Sequence, residues 1–208
     1  MKRLALLLIL ASVISLTLCV SGGRAQMGPW YGQGMGPGMM GGWVTVPDKL
    51  PAPKNMEWVQ KLREILTLER NSYSQYAIDA DKYNAAMPYM MVIPQEEYHV
   101  HLIEGLFAAY GVKSDEKPAT TIETKTLKEA FELCVRMEQG LIPRYTWLVQ
   151  NAEDRDSAQV LNNILLQTRM HLAMFEHALD MGGQGMGPGM MRGPGMGGGM
   201  MGPSRGGR

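Results

Sequence analysis

The chain has 208 residues, 45% of them hydrophobic and 19% charged, with 20 Lys+Arg against 20 Asp+Glu. So even a balance gives no reason to expect a nucleic-acid partner, which would need an excess of basic side chains. The unusual counts are 25 Gly and 19 Met, and both are concentrated at the two ends.

Lys2 and Arg3 precede an uncharged, largely apolar run from Leu4 to Val20, and Ser21-Gly22-Gly23-Arg24-Ala25 follows it. That layout matches a secretory n-, h- and c-region ending in a small residue. Residues 1–25 are therefore read as an export signal, which places the protein in the periplasm, outside the cell or on its surface. The run is also just long enough to span a bilayer as a helix, for which about 17 residues is the lower limit. An uncleaved membrane anchor is the alternative, and a membrane is a partner only in that case. Cys19 follows Leu18, where a lipoprotein signal requires a small residue. Cleavage after Ala25 leaves Cys134 as the one cysteine, so no intrachain disulfide can hold the chain together.

Residues 26–50 form a linker rich in Gly, Met and Pro, and residues 182–208 form a tail of the same character; both contain the unit MGPGMM. Gly is entropically costly to order and Pro removes hydrogen-bond donors, so both are expected to be disordered. Four Met fall in 27–40 and seven in 181–201. With no core to fill, these thioethers are either soft ligands for Cu(I) or Ag(I) or part of a plain spacer.

Between these ends, residues 51–181 show the 3-4 apolar spacing of helices with one face turned to a core. The first stripe, in 55–83, is Val59, Leu62, Leu66, Tyr73, Tyr76, Ala80, Tyr83, with Asn55 as N-cap. The second, in 95–110, contains Ile103, Leu106 and Tyr110, and Gly111 closes it. The third, in 124–151, is Leu127, Phe131, Cys134, Leu141, Tyr145, Leu148, with a kink or bulge expected near Gly140 and Pro143. The fourth, in 155–181, is Leu161, Ile164, Thr168, Phe175, Ala178. Connections at 84–94, at 111–123 and in a short turn at Asn151–Asp154 suit antiparallel neighbours. The fold expected is all-α, an antiparallel four-helix bundle.

Five polar residues interrupt the apolar seams: Glu69, Glu96, His99, Glu138 and His171. Carboxylates are almost never buried without a partner, and here every helix carries an acid or a histidine in mid-seam. Glu138 lies 16 residues before residue 154 and His171 lies 17 after it, which puts the two at nearly the same depth. Glu96 and His99, three apart, share a helix face. Glu69 fits less easily, because the 84–94 connection would have to run back along the bundle for about 18 Å, within reach of an extended chain. The five are read as candidate metal ligands, the alternative being a buried Glu–His network with tyrosines such as Tyr73 and Tyr76 as donors. His101 and His177 fall off the seams.

The stretches LERNSYSQYAIDADKY, EEYHVHLIEGLFAAYG, RMEQGLIPRY and LLQTRMHLAMF resemble a ferritin-like domain of the rubrerythrin type. The resemblance is closer still to a ferritin-like family classed as a domain of unknown function. It implies Glu69, Glu96 with His99, Glu138 and His171 as ligands of one or two transition-metal ions, iron first, with Mn or Zn as alternatives. Thr168 departs from the pattern, standing where the fourth helix should supply a Glu. The resemblance also makes peroxide reduction or ferrous oxidation conceivable, although nothing in the spacing identifies a substrate or settles whether the protein is an enzyme. Metal ions are the expected partners, with a homodimer as a further candidate. Two rival functions stay open: a copper or silver chelator acting through the Met-rich tails, and a metal-free structural or interaction bundle.

Overall fold

The computed structural model describes residues 44–114 and 117–182. The segment 1–25 read as an export signal, the segment from 26 to 43 read as linker and the tail beyond Gly182 lie outside the described residues. Among the described residues four helices form: α1 (Met56–Lys82), α2 (Tyr89–Tyr110), α3 (Leu127–Gln150) and α4 (Arg155–Asp180). No strand occurs among the described residues, and none of their helices is long and apolar enough to cross a membrane.

Each helix starts or stops where its sequence supplies a cap. Asn55 accepts the Trp58 N–H at 3.1 Å, Thr126 accepts the Glu129 N–H at 3.1 Å, and Asp154 accepts the Ser157 N–H at 2.8 Å. These bonds satisfy donors that the first turn leaves open. α2 ends at Gly111, whose φ of 66° suits glycine, and the Val112 N–H closes onto the Phe107 carbonyl at 2.9 Å. α2 starts at Tyr89, earlier than the expected residue 95, and carries Pro94 inside it. The first connection is correspondingly short, and the long return path expected for 84–94 is not needed. α3 likewise continues as helix through Pro143.

Pairings across the bundle set the topology. Tyr145 of α3 reaches Glu69 of α1, and Tyr76 of α1 reaches Glu138 of α3, so these two helices are antiparallel. His171 pairs with Gln95 and His99 with Gln167, which makes α2 and α4 antiparallel as well. α1–α2 and α3–α4 are the sequential hairpins, while α2 and α3 are diagonal and parallel. The connection from Gly111 to Thr126 is therefore a crossover that spans the bundle, and the helices on either side of it, expected to be antiparallel neighbours, are instead a parallel diagonal pair that meets through side chains such as Tyr89 and Phe131. It runs along α1: Arg63 donates to the Lys113 carbonyl at 3.3 Å, Asn71 accepts from Thr120 at 2.8 Å, and Gln75 accepts from Ile122 at 2.7 Å. Beyond these, the Thr124 hydroxyl donates to the buried Asp79 at 2.9 Å.

Residues 44–50, the end of the segment read as linker, form a strap on α2. The Tyr98 hydroxyl donates to the Val44 carbonyl at 2.6 Å and the Leu50 N–H to the Ala109 carbonyl at 2.8 Å. Between these bonds Val46 lies over Gly105, where a Cβ would come within 3.2 Å of Val46 Cγ2.

The core is divided in two. One cluster, mostly aliphatic, includes Trp58, Leu62, Leu66, Ile103, Leu106, Leu148 and Leu161. The other is aromatic, with Tyr76, Tyr89, Phe131 and Phe175 packed around Cys134. The seam-breaking polar residues occupy the layer between them.

Candidate metal centre

Glu69, Glu96, His99, Glu138 and His171 are all fully buried and converge from all four helices. The two imidazoles stack with centroids 5.4 Å apart and 25° between their planes. Nδ1 of His99 lies 3.3 Å from Oε2 of Glu69 and 4.0 Å from Oε2 of Glu96. Nδ1 of His171 lies 2.8 Å from Oε1 of Glu96 and 3.6 Å from Oε1 of Glu138. Glu96 thus sits between the histidines, and Glu69 and Glu138 flank them. One donor atom each from Glu96, His99 and His171 falls within 4.8 Å of the other two.

This layer is not saturated by its own hydrogen bonds. Both carboxylate oxygens of Glu96, Oε2 of Glu138 and Nδ1 of His171 are buried without a hydrogen-bond partner; the 2.8 Å approach of His171 to Glu96 is close but not aligned for donation. An unsatisfied buried polar atom costs roughly 1–3 kcal/mol, and more when it is charged. Four of them converging on one spot is the arrangement that a bound cation satisfies. The donor set of carboxylate oxygens and imidazole nitrogens fits Fe, Mn or Zn, and among the described residues no buried Lys or Arg supplies a counter-charge.

Burial and neighbouring charges move the titrations apart. Burial alone would raise the Glu69 carboxyl, but the facing His99, helped by hydrogen bonds including that of Tyr145, outweighs it and holds the group down to about 2. Burial drives Glu96 well above the ordinary carboxylate range, and the charges of Glu69 and Glu138 add to the rise. His99 is raised, because Glu69 overcomes the burial that would lower it.

Other residues complete the layer: Tyr76 and Tyr145, which belong to the seam pattern, and Gln95 and Gln167, which do not. The Tyr145 hydroxyl donates to Oε1 of Glu69, and the Tyr76 hydroxyl donates to Oε1 of Glu138 at 2.7 Å. Burial, then the adjacent carboxylates, push both phenols upward, so they remain donors. Gln95 and Gln167 are buried against the far edges of the histidines. The signal for them was a repeated spacing: Glu-x6-Tyr at Glu69 and Glu138, and Gln-x3-His at Gln95 and Gln167. Thr168 is buried, and its hydroxyl is spent on the Ile164 carbonyl at 3.0 Å, so it adds nothing to the layer. His101 and His177 are exposed.

The four-helix fold matches solved structures. The chain is similar to a mycobacterial bacterioferritin, with a TM-score of 0.58 and 19% identity over 64% of this chain and 87% of that one. The fold is ferritin-like. A second neighbour of the ferritin-like domain is the bacterioferritin BfrA of Mycobacterium tuberculosis, with a TM-score of 0.56 and 18% identity over 64% of this chain and 88% of that one. A third is a dodecameric thioferritin, the bacterioferritin-related protein of Bacteroides fragilis, with a TM-score of 0.55 and 17% identity over 61% and 86%. No family model matches the chain, and no curated protein does.

Proposed function

We propose that this is an exported ferritin-like protein that holds a transition-metal ion, iron first and Mn or Zn as alternatives, inside its bundle. Glu69, Glu96, His99, Glu138 and His171 are the ligands in this reading. The observation that carries it is the set of buried, unpartnered atoms on Glu96, Glu138 and His171 that face one another. Three buried acids need a counter-charge, and two imidazoles supply only part of it. A bound ion would supply Lewis acidity and, for iron or manganese, one-electron redox chemistry; the protein's own part is to bury the ion, order its ligands and exclude water. Export rests on residues 1–25, and a homodimer belongs to the same reading. The B. fragilis neighbour is a dodecamer.

Metal analysis of the purified full-length protein beside its His99→Ala/His171→Ala variant tests the reading. The wild type should retain Fe, Mn or Zn, and the variant should lose most of it. Equal metal content in the two would remove the ion from the bundle and leave the Met-rich ends as the place to look.

A further inference from the structure

The glutamines of the layer are not needed to coordinate anything, yet they are placed with unusual regularity. Gln95 stands four residues before His99 on α2, and Gln167 stands four residues before His171 on α4. Neither amide serves the histidine of its own helix. Oε1 of Gln95 meets Nε2 of His171 at 3.0 Å, and Oε1 of Gln167 meets Nε2 of His99 at 2.8 Å, so the two bonds cross between the helices. The amide orientation is held from behind. The NH2 of Gln95 donates to the Met91 carbonyl at 3.0 Å, and that of Gln167 donates to Oδ1 of Asn163 at 3.1 Å. The Met91 backbone oxygen only accepts, so the Gln95 amide nitrogen must face away from the ring and its oxygen toward it; at Gln167 the Asn163 Oδ1 acceptor goes with the same orientation. The glutamines are 3% and 5% exposed; burying a flexible amide costs desolvation and rotamer entropy that an apolar side chain would avoid.

We infer that Gln95 and Gln167 are positioning residues, a crossed brace that fixes both histidines with Nε2 protonated and dedicates both Nδ1 atoms to the ion. This rests on the metal reading above. An amide oxygen accepts only from N–H, so Nε2 carries the hydrogen and a neutral ring keeps its lone pair on Nδ1. Nδ1 is the atom that faces the carboxylates in both rings. A half-turn of either ring would put a carbon in its place, and the bond at the far edge opposes that turn. The brace is also neutral, so it orients the ligands without adding a further negative charge to a layer that already holds three carboxylates.

The test uses full-length protein with single Gln95→Met and Gln167→Met substitutions, close in size but without an acceptor, and Gln→Glu at each position as rescue. Ring 15N resonances of the metal-free protein are recorded in the pH range where the imidazoles are neutral, and Co(II) affinity is read from its visible absorption. Wild type should show both rings as the Nε2–H form. Gln95→Met should disturb His171, Gln167→Met should disturb His99, and each should weaken Co(II) binding by about 10–100-fold, whereas the Glu variants, whose carboxyl oxygen still accepts from Nε2–H, should keep the wild-type ring signals. The crossed pattern sets this apart from general loosening, which would not choose the histidine of the other helix. Unchanged ring signals or unchanged Co(II) affinity in the Met variants would overturn the brace, as would a response from the histidine on the same helix. Wild type that shows both Nε2–H signals but takes up no Co(II) would overturn the cation reading, and with it the role given to Nδ1.

Discussion

Thr168 occupies the place on α4 that Glu96 holds on α2, one turn before a histidine. Three carboxylates exceed the charge of one divalent ion and fall short of two. The native chain should therefore bind one ion tightly, and Thr168→Glu should raise stoichiometry toward two in an Fe(II) or Mn(II) titration. Two tight ions in the unmodified chain would contradict this. Without metal the same substitution should destabilise the bundle by a few kcal/mol, on the order expected for an added buried acid. A second consequence concerns pH in the metal-free protein. Glu69 titrates near 2, below its ordinary 4.5, so its contribution is complete above 4.5 and is lost as pH falls toward 2. His99 titrates above its ordinary 6.5, so its contribution is complete below 6.5 and fades as pH rises through the folded value. Thermal melts of chelator-treated protein should show stability falling on both sides of this window, and His99→Gln should flatten the alkaline limb. An alkaline limb that ignores the substitution would assign it to other groups. The five seam residues were legible because each replaces an apolar residue at a position where periodicity demands one. Gln95 and Gln167 were not, since each lies beside a seam position and reads as one more polar residue on a solvated flank.

At the scale of elements, the stripes placed four helices, and the caps Asn55 and Gly111 were visible in the sequence. The start of α2 was missed because Pro94 reads as a helix breaker, whereas here it is accommodated as the sixth residue of the helix. The diagonal path of the crossover was hidden for another reason. Its anchors are isolated hydrogen bonds accepted by Asn71, Gln75 and Asp79, with Gln75 also donating back to the Ile122 carbonyl, and they leave no periodic trace. The strap at 44–50 was likewise merged with the Gly-rich segment before it, although Val44, Val46 and Leu50 pack on the core. Its seat on Gly105 gives a prediction: Gly105→Val drives a branched side chain into Val46 and should lift the strap while leaving the helices in place. Hydrogen exchange at the Leu50 amide should accelerate, with amides in the middle of α1 and α3 unchanged. Uniform acceleration across the bundle would mean that the substitution acts on α2 itself.

For the molecule as a whole, the polar layer makes stability conditional on what fills it. An ion present at 100 times its dissociation constant should stabilise the fold by about 2.7 kcal/mol, a rise in Tm on the order of 10 °C for a domain of this size. Chelation should reverse the rise, and the His99→Ala/His171→Ala protein should not respond. A melting temperature indifferent to both metal and chelator in the wild type would favour the metal-free bundle. The crossover carries one more consequence. α1 and α2 bring Glu69, Glu96 and His99, α3 and α4 bring Glu138 and His171, and the crossover is the covalent link between the two hairpins. A chain severed at Lys117-Pro118 would yield two pieces, each with an incomplete coordination shell and an open apolar face. Mixed together they should reassemble more readily when the cation is present, so that complementation of two halves becomes a direct gauge of the ion that joins them.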